Sequence, residues 1–478
     1  MSENNKIVLD KIVTRSENFA DWYTSIVHQA KLIQYSDVKG FMIFQPNGWA
    51  LWENIKNILD KEFKKMNVKN VYMPLLIPIS EFQKEKDHVE GFAPELFTIN
   101  QIGSKTLEEP LAIRPTSEIL FCKYFKSIVN SYKDLPVKLN QWTSVLRAEK
   151  TTRPFLRNSE FHWHETHCVF ETREEADQFT RQHLDLYADF CEKELCIPVI
   201  KGVKTPGERF AGADNTYTIE SMMQDGQALQ SATSHLLGQN FAKAFGITYQ
   251  SKDNKLEIPY TTSHGLSTRI IGALIMVHSD DKGLVLPPAI APTQIRILPL
   301  FADKNPAVLE TANQLKAELD NNYRVEIDNS GKGFGYMMAQ SEVEGVPLTI
   351  AIGPKDIANN KMMIVRRDTN EKLEVSLDNV SATIDGLIAD YKQNIFAKAK
   401  QHLDSSIEDV NTIEELKAVV ENKKWARMYF DGSIADEKKV KELTGATPRC
   451  IVSTTAKEGK CFMSGKPTQQ LVIFARAY

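Results

Sequence analysis

Between Gln141 and Phe170 the chain reads QWTSVLRAEKTTRPFLRNSEFHWHETHCVF, and its residue types could do phosphate chemistry. Arg147 and Glu149 stand two apart, as do Phe161, Trp163, Glu165 and His167, and on a strand each set shares one face. A guanidinium clamps phosphate oxygens in a bidentate fashion and a ring stacks on a planar base, which are two demands of an ATP site. A solvated hairpin face would show the same spacing, so residue types alone leave both readings open. A metal site made of His162, His164, Glu165 and His167 is disfavoured. The first and second of these point away from the face of the last two, so the four cannot converge on one ion.

These residues need a β-hairpin to hold them: a strand carrying Val145, Arg147 and Glu149, a polar tip from Lys150 to Pro154, and an aromatic second strand. Other stretches offer partners. Thr116 and Glu118 precede Ile119 and Leu120 as a helix capping box would. Gln230, Thr233 and His235 lead into Leu236 and Leu237, where a histidine is usually a core residue. Ser267 is a plausible N-cap for a helix whose stripe is Ile270, Ile271, Leu274 and Ile275, after a strand over Ile258 to Thr262. That puts Arg269 in the first turn, where the helix dipole disfavours a cation and attracts an anion.

Helical spacing also predicts elements over Asn18 to Ala30, from a cap at Asn47 through Leu51, Ile55, Ile58 and Leu59, and over Ala176 to Leu195. A strand bearing Pro74 and Pro78 follows the second of these. Beyond a proline-rich linker near Pro287 the pattern alternates: strand 295–300, helix 306–319, strand 324–327, helix 336–344, strand 348–352. Gly331-Lys332-Gly333-Phe334-Gly335 is no phosphate loop, since nothing like Gly-Lys-Thr follows a strand there.

A length of 478 residues predicts about three domains, and 42% apolar with 25% charged residues is ordinary for a soluble protein. The formal charge of −4 excludes bulk non-specific nucleic-acid binding, so RNA must be met by local basic patches. MSENNK lacks an apolar signal core, and the run Ile270 to Val277 is too short to span a bilayer. Six cysteines without a dense framework suit a reducing cytosol, so a cytoplasmic protein with no membrane partner is expected.

The hairpin resembles motif 2 of the class II aminoacyl-tRNA synthetases, and within them the prolyl-tRNA synthetases. The resemblance is carried by Arg147, Glu149, Pro154-Phe155-Leu156-Arg157, Glu160, Phe161, Trp163, Glu165 and His167. It continues in order along the chain. GFMIFQPNGWALWENIKNILDKEFKKMNVKNVYMPLLIP resembles motif 1, which forms the family's dimer interface. Gly91-Phe92-Ala93-Pro94-Glu95 and Arg114-Pro115-Thr116-Ser117-Glu118 follow, and IPYTTSHGLSTRIIGALIMVHSD resembles motif 3. Gly345-Val346-Pro347 and Ile352-Gly353-Pro354-Lys355-Asp356 resemble landmarks of the anticodon-binding domain. Trp425, Thr444-Gly445-Ala446, Arg449-Cys450, Gly459-Lys460-Cys461 and the terminal Phe474 to Tyr478 resemble the C-terminal extension of the archaeal and eukaryotic type. The stretch between motifs 2 and 3 leaves no room for an editing insertion.

The resemblance implies an α+β protein: an antiparallel-sheet catalytic domain over residues 1–286, an α/β anticodon-binding domain over 287–394 and a small α+β C-terminal domain over 395–478. It implies ATP-dependent ligation of L-proline to tRNA(Pro) through a prolyl-adenylate, Mg²⁺ with the ATP, and a homodimer. Arg147 and Arg269 would be catalytic. Thr116, Glu118, Arg147, Trp163, Glu165, His167 and His235 would bind proline. Arg147, Glu149, Arg157, Asn158, Phe161, Gln230, Thr233, Ser267 and Arg269 would bind ATP, and the Tyr478 carboxylate would dock toward the active site.

Some positions depart from the pattern. His162, His164 and Thr166 replace Leu, Gln and Gly, Asn158 replaces Thr, and Phe334-Gly335-Tyr336-Met337 replaces Pro-Gly-aromatic-Lys. Where the family has two zinc-binding cysteine pairs, Asp431, Asp436 and Ser464 take three places and leave Cys461. One thiolate cannot build a closed tetrahedral thiolate site, so no zinc is expected and apolar residues such as Val452, Leu471, Ile473 and Phe474 must hold the module. A paralogue that binds tRNA without charging it should have lost Arg147, Arg269, Thr116 or Glu118, and none is lost. A threonine enzyme would want zinc ligands in the pocket, which the Thr-x-Glu and Trp163 pattern does not supply.

Overall fold

The computed structural model describes residues 12–82 and 96–478, apart from the side chains of residues 453–457; Gly91-Phe92-Ala93-Pro94-Glu95 lies outside the described residues. Helix α1 (Phe19–Gln29) starts at Asn18, whose side chain accepts from the backbone N–H groups of Ala20 and Asp21, and it buries Trp22, Tyr23, Ile26 and Val27. Helix α2 (Pro46–Lys65) starts two residues earlier than a cap at Asn47 would allow. Pro46 presets the first helical φ after Gln45, and Asn47 instead donates to the Ala30 carbonyl at 3.3 Å. Strand β1 (Lys69–Asn70) and a three-stranded sheet of 76–78, 98–102 and 105–113 lead to α3 (Glu118–Ile128).

Strands β2 (Val137–Leu146) and β3 (Glu160–Phe170) form the expected hairpin, with Val145 opposite Phe161. The turn runs on past the expected tip of Lys150 to Pro154, since β3 begins only at Glu160. Arg153 and Arg157 exchange backbone bonds of 2.8 and 3.0 Å, Phe155 adopts a φ of +59°, and Phe155 and Leu156 are buried. Tyr23 reaches over from α1 to donate to the Pro154 carbonyl at 2.6 Å. Helix α4 (Arg173–Lys193) follows, opened by a capping box of Thr172 and Glu175. Strands β4 (Val199–Val203), β5 (Asn215–Met222), β6 (Ala228–Gly238) and β7 (Tyr260–Ser267) come next, then α5 (Arg269–His278).

Strand β7 does not stop at Thr262 but runs through Gly265 to Ser267. Glycine is tolerated inside it because the Trp163 ring fills the space above: an added Cβ would lie 3.3 Å from Trp163 Cζ3. The N-cap of α5 is Thr268 rather than Ser267, although the Ser267 hydroxyl accepts from the Arg269 N–H at 3.2 Å.

A five-stranded sheet is built from β8 (Ile295–Pro299), β9 (Val325–Ile327), β10 (Leu348–Ile352), β11 (Lys361–Arg366) and β12 (Lys372–Ser376). It runs in the order β9-β8-β10-β11-β12, with β9, β8 and β10 mutually parallel and the β10–β11 and β11–β12 pairings antiparallel. Helices α6 (Pro306–Leu319) and α7 (Phe334–Glu344) form the crossovers. The long α8 (Val380–Ser405) is continuous across the expected boundary at 394/395.

The last segment holds β13 (Ile407–Asp409), α9 (Ile413–Glu421), β14 (Trp425–Tyr429), α10 (Ile434–Thr444), β15 (Thr447–Lys460) and β16 (Pro467–Ala475). Its strands extend the catalytic sheet, giving eleven in the order β13-β14-β16-β15-β4-β5-β6-β7-β3-β2-β1. The seam is a single pairing of Ile451 with Val203.

Candidate active site

Cross-strand partners share a face of a sheet, so register decides which side chains meet. Trp163 stands opposite Ser267, Glu165 opposite Gly265 and His167 opposite Ser263. On the far side of β7, Thr233 stands opposite Gly265 and His235 opposite Ser263. One face of four neighbouring strands therefore floors a cavity of about 250 Å³, whose lining includes Thr116, Glu118, Arg147, Phe161, Trp163, Gln230, Thr233, His235, Ser267 and Arg269. Residues far apart in sequence converge there.

At one end the rings and cations gather. The Arg147 guanidinium lies 5.3 Å from the Phe161 ring centre and 5.7 Å from that of Trp163, and its Nε donates to the Pro115 carbonyl at 3.0 Å. Arg269 donates from Nε to the Leu156 carbonyl at 3.1 Å, which ties the start of α5 to the hairpin tip. Burial, then the charges of Arg147 and Arg157, hold the Arg269 guanidinium down to about 10. Cations so crowded favour an anion between them. At the other end Thr116 donates from its hydroxyl to Glu118, and Ser263 donates to Glu118 Oε1 at 3.0 Å. His235 pairs through Nδ1 with Thr216 at 3.0 Å, stacks on Phe210 at 4.5 Å, and is pushed down to about 4 by burial, so it is neutral.

Five expected residues lie off the lining. Glu165 and His167 are on the right face but one layer down, 1% and 2% exposed. Helix α3 crosses above them, so Glu165 accepts from the Ser117 N–H at 3.1 Å, from Gln141 Nε2 at 2.6 Å and pairs with His167 Nε2 at 3.0 Å. His167 in turn stacks on Phe121 at 4.2 Å. They brace the Thr116–Glu118 turn rather than forming the pocket wall. Asn158 is buried at the hairpin tip, its amide placed to donate to the Arg153 and Arg157 carbonyls at 2.9 and 3.2 Å. Glu149 and Arg157 form a 3.5 Å ion pair beside the tip.

Sequence reasoning missed Ser263, Gly265, Phe210, Thr216 and Glu208, all present in the lining. The alternation of Thr261, Ser263, Gly265 and Ser267 was a usable signal for the first two. Phe210 lies outside the regular elements, in the stretch before β5, and offers no periodic cue.

On the back of β3, His164 is fully buried between Asn140 (2.9 Å) and the Tyr187 hydroxyl (2.7 Å), so the four residues of the disfavoured metal cluster indeed split between two faces. In the C-terminal segment Cys461 accepts from the Asp431 N–H at 3.4 Å, the Asp436 carboxylate caps α10 from Ser433 at 2.8 Å, and the Ser464 hydroxyl accepts from Lys466 at 3.3 Å. Among the described residues no three His, Cys, Asp or Glu side chains gather as a metal would require. Ile473 and Phe474 are buried there, whereas Val452 and Leu471 are half-buried. The terminal Tyr478 donates from its hydroxyl to Asp225 at 2.5 Å and from its N–H to Ala228 at 3.1 Å, with its ring 5.6 Å from Arg153.

Three family models match the chain: the tRNA synthetase class II core domain (G, H, P, S and T) over residues 97–278, the anticodon binding domain over 294–387, and the C-terminal domain of prolyl-tRNA synthetase over 413–478. The proline–tRNA ligase of Ureaplasma urealyticum is 62% identical over 98% of this chain and 99% of its own length. That of Agathobacter rectalis is 51% identical over the whole of both. The crystal structure of the prolyl-tRNA synthetase from Cryptosporidium parvum, complexed with halofuginone and AMPPNP, superimposes with a TM-score of 0.94 at 34% identity, covering 100% of this chain and 99% of that one. With its class II core, anticodon-binding sheet and matching C-terminal domain, the chain belongs to the proline–tRNA ligases.

Proposed function

We infer that the chain activates L-proline with ATP and passes it to tRNA(Pro). The observation that carries this is one cavity holding Arg147 and Arg269 against the Phe161 and Trp163 rings at one end, and Thr116, Glu118 and His235 at the other. In the first step a proline carboxylate oxygen attacks the α-phosphorus of ATP; the bond to the β-phosphate oxygen breaks and pyrophosphate leaves. In the second a terminal ribose hydroxyl of tRNA attacks the activated carbonyl and AMP leaves. No side chain has to serve as nucleophile, so the protein supplies position and countercharge. Arg147 faces the α-phosphate, Arg269 the leaving pyrophosphate, and Phe161 stacks on adenine with Gln230, Thr233 and Ser267 around it. Glu149, Arg157 and Asn158 shape the hairpin tip over the nucleotide. Glu118, relieved of one lone pair by Ser263, and Thr116 receive the secondary ammonium of proline. Trp163, whose Nε1 is buried without a partner among the described residues, walls the ring of the amino acid with His235. Glu165 and His167 hold that wall from below.

Magnesium would enter with the phosphates. Glu208 in the lining and Glu149 near Arg269 suit a largely hydrated ion that takes one or two carboxylates. The ion would neutralise phosphate charge. Zinc is not part of this proposal, and metal analysis of the purified protein tests that: stoichiometric zinc would overturn it.

A second copy of the chain would cover the exposed apolar residues of the motif 1 segment, Ile43, Trp49, Tyr72 and Leu75, with Tyr35 just before it. Sedimentation equilibrium would find a dimer. Among the described residues no helix is long and apolar enough to cross a membrane, and all six cysteines are buried free thiols, which suits a cytoplasmic protein. The work divides with residues 1–286 carrying the chemistry, 287–394 meeting the anticodon and 395–478 supporting the core.

The deciding assay is amino-acid-dependent exchange of pyrophosphate into ATP. Exchange should appear with proline and stay at background with threonine. Background exchange with proline would end the enzymatic reading.

A further inference from the structure

The C-terminal segment reaches the catalytic sheet with a buried charge. Glu220 on β5 is wholly buried, and Arg449 on β15 donates to its Oε2 from Nε at 3.1 Å and from Nη2 at 2.9 Å. Lys204, 1% exposed, donates to Oε1 at 2.7 Å, and the Thr218 hydroxyl does so at 2.9 Å. The remaining terminal nitrogen of Arg449 is fixed by the Thr447 hydroxyl at 3.0 Å. A carboxylate so enclosed has one geometry available to it.

That carboxylate sits at a telling register. Strands β5 and β6 slip by one residue between Ile219 and Glu220, so Thr218 stands opposite Thr233 and Glu220 opposite Gln230. Both partners on β6 line the cavity at its nucleotide end. A bulge is where a strand can be re-aimed, and Arg449 grips the residue next to it. The charge of Glu220 also reaches Arg269, and Arg449 lies within electrostatic reach of Glu208 in the lining. The same segment clasps the β5–β6 turn separately: Trp425 Nε1 donates to the Gly226 carbonyl at 3.0 Å and the Ala228 N–H to Arg476 at 2.7 Å. Docking and bulge are thus held by different residues.

We propose that Arg449 is a positioning residue for ATP: through Glu220 it sets the β5–β6 bulge that presents Gln230 and Thr233 to the nucleotide, so the C-terminal segment completes the ATP half of the site. The proline half hangs mainly on α3, β3 and β7; its one member on β6, His235, is held by Thr216, four positions before Glu220 and away from the bulge. This rests on the reading of the cavity as a prolyl-adenylate site.

The test is proline-dependent pyrophosphate exchange with the full chain and three variants. Arg449→Met leaves Lys204 and Glu220 as a neutral pair and should raise the KM for ATP by about tenfold or more, with the KM for proline within about twofold. Arg449→Lys restores the charge without the fork and should recover part of the ATP effect. Trp425→Phe loosens the turn clasp only and should leave both constants within about twofold. The proposal is overturned if Arg449→Met spares the KM for ATP, if both constants rise together, or if Trp425→Phe reproduces the ATP effect. No exchange by the unaltered chain would remove the site reading itself, and the proposal with it, a result unlike any of the others.

Discussion

Arg269 opens helix α5 and Arg449 sits on β15, and their surroundings oppose each other. Arg269 donates to a carbonyl and faces Arg147 and Arg157, and burial with those like charges lowers its affinity for its proton. Arg449 is buried too but grips Glu220, whose charge raises that affinity in spite of burial. The first arrangement is costly alone and becomes favourable when a polyanion arrives; the second is complete in itself. Cations crowded against one another mark the place proposed for substrate, and charge already balanced marks the frame.

The sharpest way to break that contrast is to unbalance the frame. Glu220→Gln would leave Lys204 and Arg449 buried against a neutral amide. Removing one member of a buried ion cluster costs about 3–5 kcal/mol, so chemical unfolding should shift by that much. A loss under about 1 kcal/mol would show that water reaches the cluster and that its charges are not truly paired.

The matching change at the site has the opposite signature. Arg269→Ala should cut proline-dependent exchange by about 10²–10³-fold, the usual loss of a preorganised countercharge. Its stability should move by no more than about 1 kcal/mol, because the bond to Leu156 is lost while repulsion from Arg147 and Arg157 is relieved. Nucleotide should reveal the same asymmetry. ATP at a hundred times its dissociation constant stabilises a binding protein by about 2.7 kcal/mol, and the variant should forfeit most of that shift in a thermal melt. An unliganded variant that melts far below the parent would mean Arg269 is part of the frame after all.

How much of this contrast was visible in the chain alone depends on range. The period-two spacing of Phe161, Trp163, Glu165 and His167 is a local property, and it placed all four on the correct face of β3. It could not give depth. That Glu165 and His167 lie beneath the Thr116–Glu118 turn is decided by how α3 crosses the sheet, a tertiary fact without a local trace. Helix α1 was legible because its apolar stripe repeats, whereas α2 showed that a proline at the first position overrides a neighbouring asparagine. The strand β7 was cut short in the reading because Gly265 looks like a terminator until Trp163 is seen packing on it. Nothing in the sequence joined Glu220 to Arg449, since their pairing spans 229 positions.

The smallest expected effect concerns the other face of β3, where imidazoles take the place of guanidinium groups. His183 on α4 lies wholly buried between Phe63, stacked at 5.1 Å, and His264, stacked at 4.3 Å, and neither ring nitrogen has a partner among the described residues. Burial pushes it down to about 3, while His164 and His264 are also held well below the ordinary range, by burial first and then by neighbouring imidazoles. A histidine whose folded value is depressed is neutral when folded and charged when unfolded below about 6.5. It therefore contributes stability that is whole above that pH and drains away as pH falls toward the folded value, at up to about 1.4 kcal/mol per pH unit for each group. The chain should lose stability between about pH 6.5 and 4 more steeply than its carboxylates alone require. His183→Phe keeps the ring stack, removes two unsatisfied polar atoms and deletes one proton from that linkage. It should stabilise the fold at pH 7 by about 1–3 kcal/mol and flatten the acid limb by one group's share, with exchange activity unchanged. Destabilisation at pH 7 would mean that the ring nitrogens are satisfied by water within the fold, and that this face is no more charge-silent than the cavity it backs.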